Sequence, residues 1–203
     1  TSNVWAVGDN GTIIQYNGST WRQHYSGTTK DLYAVSGFNQ SNVWAVGQDG
    51  TILKYDGIYD SWSTQTSGTA QTLYGISALD ANNVWAVGGT GTILKYNGTA
   101  WSTQTSGTAQ YLRGVSALDA NNVWAVSDSG TILKYNGTTW SSQESGTAQG
   151  LYGVSALDAN NVWAVGWSGT ILKYNGTTWS SQESGTAQGL NGVSALDANN
   201  VWA

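Results

Sequence analysis

Val162-Trp163-Ala164-Val165-Gly166-Trp167-Ser168-Gly169-Thr170-Ile171-Leu172-Lys173-Tyr174-Asn175-Gly176-Thr177-Thr178-Trp179 holds two short β-prone runs, each closed by a tight turn. Val162 to Val165 is apolar, Ile171 to Tyr174 alternates, and Asn175-Gly176 is the strongest short-range hairpin signal. Working outward, Trp179 to Glu183 is a polar strand around one Trp, followed by the turn Ser184-Gly185-Thr186-Ala187. Leu190 to Leu196 then mixes small and apolar residues before the turn Asp197-Ala198-Asn199-Asn200. No apolar stripe at the helical period persists over about ten residues. The unit therefore reads as four short antiparallel strands, and the fold class as all-β.

The unit is repeated. Trp5, Trp44, Trp85, Trp124, Trp163 and Trp202 stand in one frame at steps of 39, 41, 39, 39 and 39 residues, the long step being a two-residue insertion around Ile58, Tyr59 and Asp60. A period near 40 residues with four strands per unit predicts a β-propeller, since no unit can bury its apolar face alone. A β-solenoid repeats at about half this length or less. The copies run 4–42, 43–83, 84–122, 123–161 and 162–200, with a partial sixth at 201–203. We expect one domain over 1–203 with five blades. From the start inside a repeat, without Met, we expect a processed, excised or engineered product.

The motif Trp-Ala-Val-Gly-x-x-Gly-Thr-Ile-Leu-x-Tyr-Asn-Gly-x-x-Trp, complete at 85–101 and 163–179, resembles bacterial repeat propellers of the BNR and photosystem-assembly-factor groups. It departs from the sialidase Asp box, because Tyr135 and Tyr174 stand where that box carries Asp, and Gly137-Thr138-Thr139-Trp140 keeps only its tail. The resemblance implies that Leu-x-Gly-Val-Ser is the inner strand, Val-Trp-Ala-Val the second, Thr-Ile-Leu-Lys-Tyr the third, and the Trp-Ser-Ser-Gln strand the outer edge. With five blades, 189–195 would then close the ring on 3–7, and Asn200 to Ala203 would duplicate a place taken by Asn3 to Ala6: the tail is then displaced, or belongs to a longer array, or pairs with another chain by strand exchange.

Composition narrows the function. The chain has no Cys, so neither disulfides nor thiolate chemistry is available. A formal charge of −5 with only seven unclustered Lys and Arg argues against nucleic acid. No apolar run approaches the roughly 20 residues of a membrane span. No nucleophile with a base, repeated carboxylate pair or phosphate-cradling loop is present, so we expect no enzyme and no cofactor. The Asp of the Asp-Ala-Asn-Asn turns at 80, 119, 158 and 197 reads as a turn cap rather than a calcium ligand, because calcium wants about six oxygens or more. His24, the only His, reads as a solvated strand residue. Lys54, Lys95, Lys134 and Lys173 read as stems covering adjacent surface. Asn17, Asn97, Asn136 and Asn175 satisfy the N-glycosylation pattern, but their following Gly reads them as turns.

Function is legible only where the copies disagree. Units 123–161 and 162–200 differ at three places, Ser127/Gly166, Asp128/Trp167 and Tyr152/Asn191. Across all units the turn between second and third strands carries Asp9-Asn10, Gln48-Asp49, Gly89-Thr90, Asp128-Ser129 and Trp167-Ser168. The start of the inner strand carries Asp31 and Tyr33, Thr72 and Tyr74, Tyr111 and Arg113, Gly150 and Tyr152, and Gly189 and Asn191, around an invariant Leu. Free drift of exposed turns would explain such variation. Yet drift favours small polar types, whereas Trp, Tyr and Arg are typical of binding hot spots. We expect a face that recognises a protein or glycan, with Tyr33, Tyr74, Tyr111, Tyr152 and Trp167 as anchors and Arg113, Asp9, Asp31, Asp49 and Asp128 setting polar specificity. The remaining Trp, in two repeated frames, should fill the core between blades. A lectin with one equal pocket per blade and a ligand-free scaffold are the alternatives.

Overall fold

The computed structural model describes residues 3–203 and is all-β, built from antiparallel sheets joined by tight turns. The first sheet has three strands, β1 (Val4–Val7), β2 (Ile13–Tyr16) and β3 (Trp21–His24). The second has four, β4 (Leu32–Asn39), β5 (Asn42–Gly47), β6 (Ile52–Asp56) and β7 (Ser61–Thr64). Three further four-stranded sheets follow: β8 (Leu73–Asp80), β9 (Asn83–Gly88), β10 (Ile93–Tyr96) and β11 (Trp101–Gln104); β12 (Leu112–Asp119), β13 (Asn122–Ser127), β14 (Ile132–Tyr135) and β15 (Trp140–Gln143); β16 (Leu151–Asp158), β17 (Asn161–Gly166), β18 (Ile171–Tyr174) and β19 (Trp179–Gln182). A two-stranded pair, β20 (Ser194–Asp197) and β21 (Asn200–Trp202), completes the chain. The expected strand order therefore holds in every complete sheet. The chain forms two compact units, residues up to Gly88 with Leu94–Gln104, and Gly89–Ile93 with Thr105–Ala203.

Each unit is held by sheet faces in contact. In the first, Trp44, Val46 and Ile52 of the second sheet pack on Leu73, Ile76, Val84, Ala86, Leu94 and Tyr96 of the third. Ala45 and Leu53 point the other way, toward Ile13 of the first sheet, as strand alternation requires. The second unit repeats the scheme: Trp124, Val126 and Ile132 pack on Leu151, Val162, Ala164, Leu172 and Tyr174. A large Trp on one sheet thus faces a small Ala on the next, which lets the sheets approach. Aromatic geometry recurs with it, Trp44 lying T-shaped to Trp101 and Trp124 to Trp179, each at 5.4 Å.

The turns follow the sequence reading. In Asp80-Ala81-Asn82-Asn83 the Asp80 carboxylate accepts the Asn82 N–H at 2.8 Å and the Asn83 side-chain amide at 3.1 Å. The same bonds hold Asp119 and Asp158 below the ordinary carboxylate range, the backbone N–H two residues on being the largest cause. At Asn97-Gly98 the Asn97 Oδ1 accepts the N–H groups of Thr99 and Ala100, both at 3.0 Å.

Four expectations need correction. Residues 190–193 form no strand, and β20 begins only at Ser194. In place of the expected pairing of 189–195 with 3–7, among the described residues β20 pairs with β21, Ser194 opposite Trp202, and β1 pairs with β2. Trp21 and Trp202, expected in the core, are 52% and 58% exposed. A frame Trp is buried where a neighbouring sheet covers it, as Tyr96 and Trp101 cover Trp44 at 4.7 and 5.4 Å. His24 is buried rather than solvated, only 6% exposed, because the Trp5 and Tyr55 rings close over it.

Candidate functional site

The start of the first strand in each complete sheet carries a feature that alternation does not predict. Leu32 pairs with Gly47 and Ala34 with Val46, leaving Tyr33 unpaired in a β-bulge. The same shift leaves out Tyr74 in β8, Arg113 in β12 and Tyr152 in β16. A bulge turns its extra side chain out of the regular alternation. Leu32, Leu73, Leu112 and Leu151 stay buried beside it, so the residue the ladder releases is one at which the copies differ.

The turn between second and third strands is brought against that start by backbone bonds. In the first unit the Gln48 N–H donates to the Asp31 carbonyl at 2.9 Å, and the Leu32 N–H donates to the Gly8 carbonyl at 3.1 Å. In the second unit Asp128 N–H donates to Tyr111 O at 3.1 Å, Trp167 N–H to Gly150 O at 2.8 Å, and Leu190 N–H to Gly166 O at 2.9 Å. This approach explains the turn glycines, since a Cβ on Gly166 would collide with the Gly150 carbonyl oxygen. The fourth sheet has Ser127 there. Its Oγ accepts the N–H groups of Ser129 and Thr131 at 3.3 and 3.1 Å, and the turn closes by a Gly130 N–H bond to Ser127 O instead of the short 3-10 turn of its relatives.

In those 3-10 turns the second residue is left-handed: Asn10, Asp49, Thr90 and Ser168, at φ of 50 to 54°. Asn and Asp tolerate that region, whereas the β-branched Thr does not. Thr90→Asn, which installs the residue of the first copy, is expected to raise stability by about 1 kcal/mol. A urea midpoint that does not rise would contradict this.

Side chains from bulge and turn meet within each unit. In the first, Tyr33 and Tyr74 lie 5.8 Å apart, and Gln48 donates to Asp31 at 2.8 Å and to the Tyr33 hydroxyl at 3.3 Å. The Asn10 N–H also donates to Asp31, at 2.8 Å, and Lys30 pairs with Asp49. In the second, Arg113 lies 5.5 Å from the Tyr111 ring centroid and bonds Asp128 at 3.1 Å, while Tyr152 and Trp167 stand 6.5 Å apart, edge to face. Trp167 is 58% exposed and Tyr111 43%. Asp9, Ser129, Ser168 and Asn191 are exposed, as are Asp49 and Thr90, whereas Thr72 is half-buried. Asn191 stands outside any strand and so lacks the bulge of its counterparts. Among the described residues no three His, Cys, Asp or Glu side chains cluster as a metal site would require, and no helix is long and apolar enough to cross a membrane.

No family model matches the chain, and no curated protein does. Solved structures match over nearly all of it. A YCF48 structure described as bound to D1 peptide is 20% identical at a TM-score of 0.75, covering 98% of this chain and 70% of its own. The RRP9 WD40 repeats are 9% identical at 0.77, with 95% and 66% covered. The computationally designed Ika8 protein is 19% identical at 0.76, with 97% and 63% covered. The chain thus spans about two thirds of the proteins it matches. At these identities the likeness speaks to architecture alone, and with the repeated four-stranded sheets it makes this a Trp-rich repeat protein of the β-propeller fold, its blade count consistent with five.

Proposed function

We propose that this chain is a non-catalytic recognition module that binds an extended segment of another protein through its bulge and turn residues. One observation carries the reading: the positions that differ between copies lie in the bulges and in the turns bonded against them, and they bear Tyr, Trp and Arg. Tyr33 and Tyr74 in one unit, and Tyr111, Tyr152 and Trp167 in the other, would be the anchors. Support comes also from the YCF48 neighbour, a propeller described with a bound peptide. We place the chain near the photosystem-assembly-factor and BNR repeats on its motif, and read 1–203 as one domain. A second partner mode follows from the topology, since among the described residues β1 has a ladder on one side, with β2, and a strand of another chain can add to such an edge.

Both cations of this surface are matched within it, Lys30 by Asp49 and Arg113 by Asp128. Aromatic area rather than charge would then supply affinity. Raising NaCl from about 50 to about 500 mM is expected to change the dissociation constant by less than about threefold. A loss of tenfold or more would mean a charged partner.

The test is selection of a displayed linear-peptide library on the chain, with Trp167→Ala/Tyr111→Ala as the control. Enrichment that the control loses while unfolding at the same urea concentration supports the reading. Enrichment that persists on the control overturns it. Saccharide binding at about five equal sites would instead establish the lectin alternative.

A further inference from the structure

The first sheet departs from the repeat at two linked positions. In the later sheets the third strand carries Lys54, Lys95, Lys134 or Lys173, with Nζ 4.7 to 4.9 Å from the ring of the second-strand Trp of its own sheet. Lys54 and Lys134 also lie over the Tyr of the next sheet, Tyr96 and Tyr174, at 5.5 and 5.4 Å. Three residues beyond each outer-strand Trp stands a Gln: Gln65, Gln104, Gln143 or Gln182. In the first sheet the Lys position is Gln15 and the Gln position is His24. The imidazole occupies the place of the ammonium, its ring 4.8 Å from Trp5 and 5.6 Å from Tyr55, with Nε2 3.0 Å from Gln15 Oε1. A permanent cation has been exchanged for one that exists only when protonated.

The insertion completes the arrangement. Asp60, left-handed at φ +53°, accepts from Arg22 Nη2 at 2.5 Å and from the Tyr55 hydroxyl at 2.6 Å. Elsewhere that Tyr hydroxyl donates to a glycine carbonyl in its own hairpin, as Tyr96 does to Gly98 and Tyr135 to Gly137. The insertion thus turns Tyr55 toward Asp60 and ties the β6–β7 turn to strand β3. Among the described residues, the titratable and charged groups facing the imidazole are Arg22 on its own strand, Tyr55 on β6 and Asp60 in the turn; β1 and β2 present the uncharged Trp5 and Gln15.

We propose that Arg22, His24, Tyr55 and Asp60 form an acid-released clasp, closed while His24 is neutral and opened when it takes a proton. With Nε2–H given to Gln15, Nδ1 keeps its lone pair toward Arg22 Nη2 at 3.4 Å. Protonation makes both ring nitrogens donors, beside a guanidinium that also lies 3.2 Å from Nε2. Asp60 Oδ1 is farther, 3.7 Å from Nδ1, and is already engaged by Tyr55. Burial adds to the repulsion, because the side chain is only 2% exposed. In keeping with this geometry, burial first and then Arg22 hold His24 below its ordinary value of 6.5, against the pull of Asp60. Asp60 is held low chiefly by Arg22, and burial pushes Tyr55 up to about 12. A lowered His means that the folded state binds fewer protons than the unfolded one. The stability it contributes is present above about pH 6.5 and is lost as pH falls from there toward the lowered value; Asp60 acts in the same direction at lower pH.

His24 is the only His, so one imidazole resonance reports the site. We expect it to titrate below 6.5 and to move upward in Arg22→Ser, which installs the residue of the other sheets. Below that midpoint, hydrogen-exchange protection of 21–24 and 57–62, corrected for intrinsic rates, should fall on the order of tenfold, while 101–104, 140–143 and 179–182 stay unchanged. The double variant Gln15→Lys/His24→Gln, which recreates the repeated arrangement, should lose the response. An imidazole titrating at or above 6.5, protection independent of pH, or an equal response in the double variant would each overturn the proposal.

Discussion

Trp44→Ala is expected to lower the unfolding free energy by about 3–5 kcal/mol, and Trp124→Ala by a similar amount, read from urea denaturation. Both side chains are fully buried and bridge two sheets, Trp44 packing on Leu73, Val84 and Leu94 and Trp124 on Leu151, Val162 and Leu172. The small Ala86 and Ala164 opposite cannot fill the space left behind, so the transfer loss is increased by a cavity. The overlying Lys54 or Lys134 also loses its ring, worth about 0.5–1 kcal/mol. The indole N–H of each is buried without a hydrogen-bond acceptor, which works the other way by about 1–3 kcal/mol. Replacement by Phe should therefore cost distinctly less than replacement by Ala. Trp163, in the same frame but only half-buried, should cost less still. If Trp44→Ala proved as mild as an exposed substitution, the sheet-to-sheet core would not be where the stability lies.

Trp167→Ala and Tyr111→Ala are each expected to weaken binding of a selected peptide by about 30-fold or more, since aromatic hot spots are worth about 2 kcal/mol or more. Neither should change stability by more than about 0.5 kcal/mol, because both residues are exposed, Trp167 at 58% and Tyr111 at 43%. Trp167 owes its place to backbone: its N–H is tied to Gly150 and its carbonyl accepts the Thr170 N–H, so the turn survives loss of the ring. Calorimetry and urea denaturation on the same variants separate the two effects. Unchanged affinity, or a stability loss approaching that of Trp44→Ala, would remove Trp167 from the recognition surface.

How much of this was legible differs element by element. The strands Val-Trp-Ala-Val and Ile-Leu-Lys-Tyr, the Asn-Gly hairpins and the Asp-capped turns follow from local chemistry, and each appears where the repeat puts it. The variable positions could also be found by comparing copies, but the reason Tyr33, Tyr74, Arg113 and Tyr152 escape the sheet could not. A bulge is a property of two strands in register, Leu151 opposite Gly166 and Gly153 opposite Val165 leaving Tyr152 between them. The Ser127/Gly166 difference was visible as a letter; its consequence, a different turn, required knowing that a carbonyl approaches that position.

The amino-acid sequence by itself determined the period, the four-strand unit, its turns and the positions at which the copies diverge, because these rest on interactions among residues a few places apart. Tertiary structure alone decided which Trp are covered, which residue each bulge expels, and the fate of His24, which looked like an ordinary strand residue until Trp5 and Tyr55 closed over it. Those outcomes depend on what an adjacent sheet supplies, and no local pattern carries that information.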